Sequence, residues 1–299
     1  MRRSAARRVF ALLLPLVFAS PAGSEEEAAP PARVALFRAA GFPSVDAPEV
    51  SDAALAEALA GLPVQTLPDA ASLSEALGSG RLALLVLSYG SAFPVEAWGA
   101  IHTFLEGGGS LVVLGGAPFH QPVRFEAGEG PGRYVLGRRQ PSFAHELLIG
   151  PSDLWSRPEG ATLRSSPAPD SGWSAPFPEP SKVYALTLRL ATRPNLPDEH
   201  GSEGYRDAVV RPLVHVRDGD GQAVACPLLE VDRLRGPGAG GRWVLAPSDA
   251  GLGPEVVRAA VLRAMDGAAE VDARPTLASI EPGEAASIRV NVRRPGARP

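Results

Sequence analysis

Two stretches, Leu82–Leu87 (LALLVL) and Ser110–Leu114 (SLVVL), most narrow what this chain can become. A strand with one wet face alternates apolar and polar residues. A strand that is apolar at nearly every position is buried on both faces, as in a parallel sheet covered by helices on either side. Between the two runs, Pro94 opens a helical pattern that puts Trp98, Ile101, Phe104 and Leu105 on one stripe, and Gly107-Gly108-Gly109 ends it. Strand, helix and strand in succession read as one parallel crossover unit.

The same alternation extends upstream. Arg33–Phe37 (RVALF) reads as a strand, Ser51–Leu59 as a helix stopped by Gly61, Pro63–Leu67 as a strand, and Ser72–Leu77 as a helix stopped by Gly78. The expected class is therefore α/β, with a flavodoxin-like doubly wound sheet. From about residue 118 to 182 the periodicity is lost in a loop-rich insertion of Pro, Gly and Ser with scattered aromatics, and only the neighbourhood of His145–Ile149 is helical in pattern. Aromatic side chains in such a segment either plug a local core or stack on sugar rings.

The second half has a different, more antiparallel style. Val183–Leu190 alternates, and Val209–Arg217 and Ala223–Val231 flank Asp218-Gly219-Asp220-Gly221, a hairpin signal. Arg242–Ala246 is a further strand and Pro254–Met265 an amphipathic helix through Val257, Val261 and Met265. The tail from 271 to 299 reads as the start of a β-sandwich-like module.

The N-terminus is expected to be a targeting segment. Arg2, Arg3, Arg7 and Arg8 precede the apolar Val9–Phe18, and Ala19-Ser20-Pro21-Ala22 supplies small residues for cleavage. A signal peptide over residues 1–23, a linker over 24–32 and an α/β domain over 33–270 follow, with no stable membrane anchor after cleavage. Without those four arginines, 25 basic residues face 33 acidic ones, a net charge of −8. Such a surface does not attract nucleic acid. One lysine, Lys182, against 28 arginines reflects base composition more than a binding patch. The lone Cys226 sits in an apolar run and reads as a core thiol.

Leu82–Gln121 resembles the core of class I glutamine amidotransferase-like domains, and in particular noncatalytic versions appended to secreted bacterial carbohydrate-active proteins. The residues that carry the resemblance are Tyr89-Gly90, Phe93-Pro94, Trp98, Phe104-Leu105, Gly107-Gly108-Gly109, Leu111–Leu114 and Gly115-Gly116. Active members place a cysteine in the turn after this strand; here Leu114, Gly115, His120 and Gln121 match, but Ala117 stands at the nucleophile position. The next residue, whose backbone N–H would stabilise an oxyanion, is Pro118, which has none. His200 and Glu203 are spaced one residue too far to be the family's downstream pair. The resemblance thus implies a fold without its chemistry.

Other motifs fail in their own terms. His145-Glu146 lacks the second histidine of a zinc-protease helix, the five histidines have no metal-ligand spacing, and Asp218 and Asp220 supply half a calcium loop. Glu199, Glu203 and Asp207 are the carboxylates to consider as an acid and base pair. No catalytic residue, metal or cofactor is expected. The ligand-binding candidates are the residues at the carboxyl edge of the sheet, where open α/β folds bind ligands: Tyr89, Gly90, Gly115, Gly116, Ala117 and His120. The expected function is an exported, noncatalytic module binding a carbohydrate or a cell-envelope partner. The alternatives are a glycan-acting hydrolase using carboxylates and a structural domain of the envelope.

Overall fold

The computed structural model describes residues 33–128, 132–189, 208–275 and 288–293. The leader expected over 1–23, the linker over 24–32, and Glu199, His200, Glu203 and Asp207 lie outside the described residues. In chain order the first half comprises β1 (Arg33–Phe37), α1 (Asp52–Leu59), β2 (Val64–Leu67), α2 (Ala70–Gly78) and β3 (Leu82–Leu87). It continues with β4 (Ala92–Pro94), α3 (Trp98–Glu106), β5 (Ser110–Leu114), β6 (Gln121–Glu126), β7 (Arg133–Leu136) and α4 (Ser142–Glu146). Then come β8 (Ile149–Ser156), β9 (Arg164–Pro167), β10 (Lys182–Leu188), β11 (Ala208–Arg217), β12 (Ala223–Arg233) and β13 (Arg242–Ala246). Last are α5 (Pro254–Met265), β14 (Glu270–Pro275) and β15 (Ile288–Arg293), the two strands pairing antiparallel.

The main sheet has eight strands in the order β2-β1-β3-β5-β13-β12-β11-β9. From β2 to β13 all neighbours are parallel, and from β13 to β9 all are antiparallel. This explains the change of sequence style. The central strands β3 and β5 pair with Val86 opposite Val112 and are buried almost throughout. Alternate residues point to opposite faces. Leu85, Leu87, Leu111 and Val113 enter one core with Ile101, Phe104 and Leu105 of α3. Leu84, Val86, Val112 and Leu114 enter another with Leu55 of α1 and Val257 and Val261 of α5.

Helix starts follow local chemistry. Ser51 Oγ accepts the Ala54 N–H at 3.2 Å, and Asp69 accepts that of Ser72 at 2.7 Å while Ser72 Oγ accepts the Asp69 N–H at 3.3 Å. This reciprocal cap starts α2 at Ala70, two residues before the position that the sequence pattern suggests. Pro94 does not open α3. It ends β4, which pairs with β6 in parallel, and a short 3₁₀ turn then leads into α3. The pairing joins residues far apart in sequence, so no local pattern announces it.

The span expected to be loop-rich holds regular structure. β6 and β7 form a hairpin beside β4, β8 pairs with β10, and β9 joins the far edge of the main sheet. Its aromatics mostly serve packing: Phe119 and Phe143 meet Phe93 and Trp98 at centroid distances of 5.1–5.6 Å. Phe125 is the exception, half exposed. Asp218 Oδ1 accepts the N–H groups of Asp220 and Gln222, which makes the expected hairpin turn. Cys226 is partly exposed rather than fully buried; burial pushes its thiol up to about 11, so it stays protonated and unreactive at neutral pH.

Candidate functional site

After β5 the chain turns through Gly115 and Gly116, at φ +94° and +61°, left-handed conformations that favour glycine. The shape of the site depends on missing side chains. A Cβ on Gly116 would stand 2.4 Å from the Ser91 nitrogen, one on Gly115 2.3 Å from the Ala47 methyl, and one on Gly90 2.0 Å from the Val45 oxygen. The loop after β1 therefore presses directly onto the strand ends. Ser91 N–H donates to Val45 O at 2.9 Å, Val45 N–H to Tyr89 O at 3.2 Å, and Gly116 N–H to Ser248 O at 2.9 Å.

Asp46 stands at the centre of this pole, itself left-handed at φ +67°. The Ser91 hydroxyl donates to its Oδ2 at 2.5 Å and accepts the Ala117 N–H at 2.6 Å. Arg139 clamps the same carboxylate, with Nη1 3.0 Å from Oδ1 and Nη2 2.6 Å from Oδ2. Burial alone would raise the Asp46 pKa, but Arg139 and Ser91 outweigh it and hold the carboxyl below its usual range. The Tyr184 hydroxyl donates to the Asp46 carbonyl at 3.4 Å. Burial and the Asp46 charge push that phenol up to about 12.

His120 is 4% exposed. Its Nδ1 is 2.8 Å from the Pro118 carbonyl, which can only accept, so Nδ1 carries the hydrogen. Nε2 is buried and has no hydrogen-bond partner among the described residues. Burial pushes the imidazole below the usual histidine range despite the Pro118 carbonyl. The unfolded chain takes up this proton near pH 6.5 and the folded chain only at lower pH. The contribution is therefore complete above about pH 6.5 and declines below it, by up to about 1.4 kcal/mol per pH unit, until the folded pKa is passed. Asp46 acts with the same sign but only below the carboxylate range. Urea midpoints compared at about pH 7.5 and about pH 5.5 should fall more for the wild type than for His120→Gln. Equal falls would show that His120 is not buried neutral.

All six candidates, Tyr89, Gly90, Gly115, Gly116, Ala117 and His120, come together at this pole and all are buried. Tyr89 points inward: its ring packs on Phe37 and Phe42, and its hydroxyl bonds the Ala39 N–H and carbonyl, both at 3.0 Å. The groups nearer solvent are Asp46 and Arg139, whose side chains are 16% and 44% exposed. Neither stands out in the sequence: Asp46 lies in a largely apolar loop after β1 and Arg139 in an isolated Arg138-Arg139 pair.

The turn itself is committed to packing. Ala117 offers a methyl, its N–H is held by Ser91, and Pro118 has no N–H. Phe119 sits at φ +59°, a costly conformation held by the packing of its ring against Phe93 and Trp98. The chain then runs into β6 instead of a helix.

A second polar concentration lies on β12. Glu230 and Asp232 are 1% and 0% exposed. Arg242 donates to Asp232 at 2.6 and 3.1 Å, Arg263 to Glu230 at 2.6 and 3.2 Å, and Arg211 Nη1 to Glu230 at 3.2 Å and Asp232 at 2.5 Å. All four carboxylate oxygens meet a guanidinium, so neither acid is placed to give or take a proton from a substrate. Among the described residues, no group of three His, Cys, Asp or Glu could hold a metal ion, and no helix is long and apolar enough to cross a membrane.

No family model matches the sequence, and no curated protein matches it either. Among solved structures the chain is similar to a β-galactosidase from Rahnella sp. R3, at 14% identity and a TM-score of 0.44, over 79% of this chain and 31% of that one. It is also similar to the mmIFT52 N-terminal domain, at 11% identity and a TM-score of 0.41, covering 76% and 95% of the two chains. A ThuA-like protein from Bacteroides uniformis matches at 11% identity and a TM-score of 0.38, covering 82% and 95%. The chain spans less than a third of that β-galactosidase's length. These likenesses are distant, and none assigns this chain an activity.

Proposed function

We propose that this chain is an exported, noncatalytic amidotransferase-like domain that serves as an accessory module binding a carbohydrate. The single observation behind the noncatalytic reading is the turn after β5. At the nucleophile position Ala117 gives its N–H to Ser91, which in turn donates to Asp46, and at the oxyanion position Pro118 has no N–H and offers only its carbonyl to His120. A flavodoxin-like core fits the parallel strands, whose order β2-β1-β3-β5-β13 is the doubly wound order 2-1-3-4-5. Glu230 and Asp232, saturated by arginines, do not serve the hydrolase alternative, whose candidates Glu199, Glu203 and Asp207 lie outside the described residues.

In this reading the ligand sits on the rim above the buried candidates, where the Asp46–Arg139 pair offers both acceptors and donors to sugar hydroxyls. Thermal-shift measurements against a panel of oligosaccharides test it. A sugar at a hundred times its dissociation constant stabilises the fold by about 2.7 kcal/mol, which raises Tm by several degrees. Arg139→Ala should remove the shift while the protein stays folded. No sugar shift at all would defeat the carbohydrate reading, and a shift that survives Arg139→Ala would move the site away from this pole.

A further inference from the structure

At the other end of the central strands, where β5 and β13 begin, lies a cavity of about 110 Å³. Leu105, Leu147, Leu148 and Trp243 give it apolar walls, and Glu106, Glu146 and Arg233 bring charge to the lining. The walls are tied to one another. Gly238 N–H donates to the Glu106 carbonyl at 2.6 Å, Arg233 Nη2 to the Leu147 carbonyl at 2.8 Å, and Trp243 Nε1 to the Gly109 carbonyl at 3.2 Å. The space is therefore preformed and needs no ordering on binding.

Its charge has a sign. Arg233, the one cation in the lining, lies over the Trp243 ring at 4.3 Å and is tied to Leu147. Glu146 is oriented by the Trp98 indole, whose N–H donates to it at 2.8 Å. Among the described residues, the basic group within ion-pair distance of these two carboxylates is the His102 ring, 3.4 Å from Glu106. Two exposed carboxylates beside an apolar box fit a ligand with an apolar stem and a cationic head. The size suits a fragment, since sites for drug-sized molecules run to about 300 Å³ and more. We propose that this cavity binds a small primary ammonium compound, with a single ring or short aliphatic stem against Trp243 and the leucines and its ammonium between Glu106 and Glu146.

The experiment is equilibrium binding of benzylamine and of benzyl alcohol, alike in shape but not in charge, to the full chain by calorimetry or NMR titration. Benzylamine should bind saturably and several-fold more tightly than the alcohol. The double variant Glu106→Gln/Glu146→Gln, which changes exposed carboxylates and keeps an acceptor for Trp98, should erase that preference. Leu148→Trp, which fills the box, should abolish both. If that variant does not fold, the charge comparison alone decides. Equal affinities, a preference that survives the double variant, or no saturable benzylamine binding in the millimolar range would each overturn the proposal.

Discussion

Asp232→Asn is expected to destabilise the protein by about 3–5 kcal/mol, the range for removing one partner of a buried ion pair. Asp232 is fully buried and holds Arg242 through two bonds, 2.6 and 3.1 Å, and Arg211 through one of 2.5 Å. Without its charge, the buried Arg242 guanidinium keeps its desolvation cost and loses its nearest counter-ion. For a domain of this size the melting temperature should fall on the order of 10 °C. Asp52→Asn is the control. Asp52 also bonds an arginine, Arg38, at 2.6 Å, but its side chain is 83% exposed, and the loss there should stay within about 1 kcal/mol. Urea denaturation of both variants checks the contrast. Comparable losses would mean that the β12 charges are hydrated, unlike the geometry described above.

Gly90→Ala is expected to cost more than about 4 kcal/mol or to prevent folding, because strain and a backbone clash act together. Its φ is +64°, and the added methyl would stand 2.0 Å from the Val45 carbonyl oxygen. That oxygen belongs to the backbone and already accepts the Ser91 N–H, so no side chain can swing away to make room. Gly61→Ala separates the two causes. Gly61 has a similar φ of +78° with nothing within 4 Å of the added carbon, and only the left-handed cost of about 1–2 kcal/mol applies. Chemical denaturation of the pair should show the large gap. Equal costs would mean that the loop after β1 does not rest on the strand end.

Much of the architecture is legible in the sequence because it depends on local pattern. The apolar runs at β3 and β5 announce strands buried on both faces, the stripe Leu73, Ala76, Leu77 is buried as read, the stripe Trp98, Ile101, Phe104, Leu105 is buried except for the partly buried Trp98, and Asp218–Gly221 is the hairpin. What depends on distant partners is not legible. β4 exists because Ala92 finds Gln121, and β9 is a strand because Ser166 lies opposite His215. The six pole candidates converge at the strand ends, but Gly90 and Gly115 are covered by Val45–Ala47, a segment with no motif of its own. Asp46 and Arg139 meet across 93 positions, and no spacing rule links them. The turn is legible for the opposite reason: the Ala117 methyl and the missing Pro118 N–H do not depend on where the chain places them.

Binding without turnover can be tested in one mixture. The oligosaccharide that gives the largest thermal shift would be incubated with the protein at a concentration that saturates it, and its integrity followed by chromatography. Binding should be saturable and dependent on Arg139, with the sugar recovered unchanged after many hours. Steady release of shorter sugars in proportion to protein, lost in a carboxylate variant, would contradict it and make the chain an enzyme.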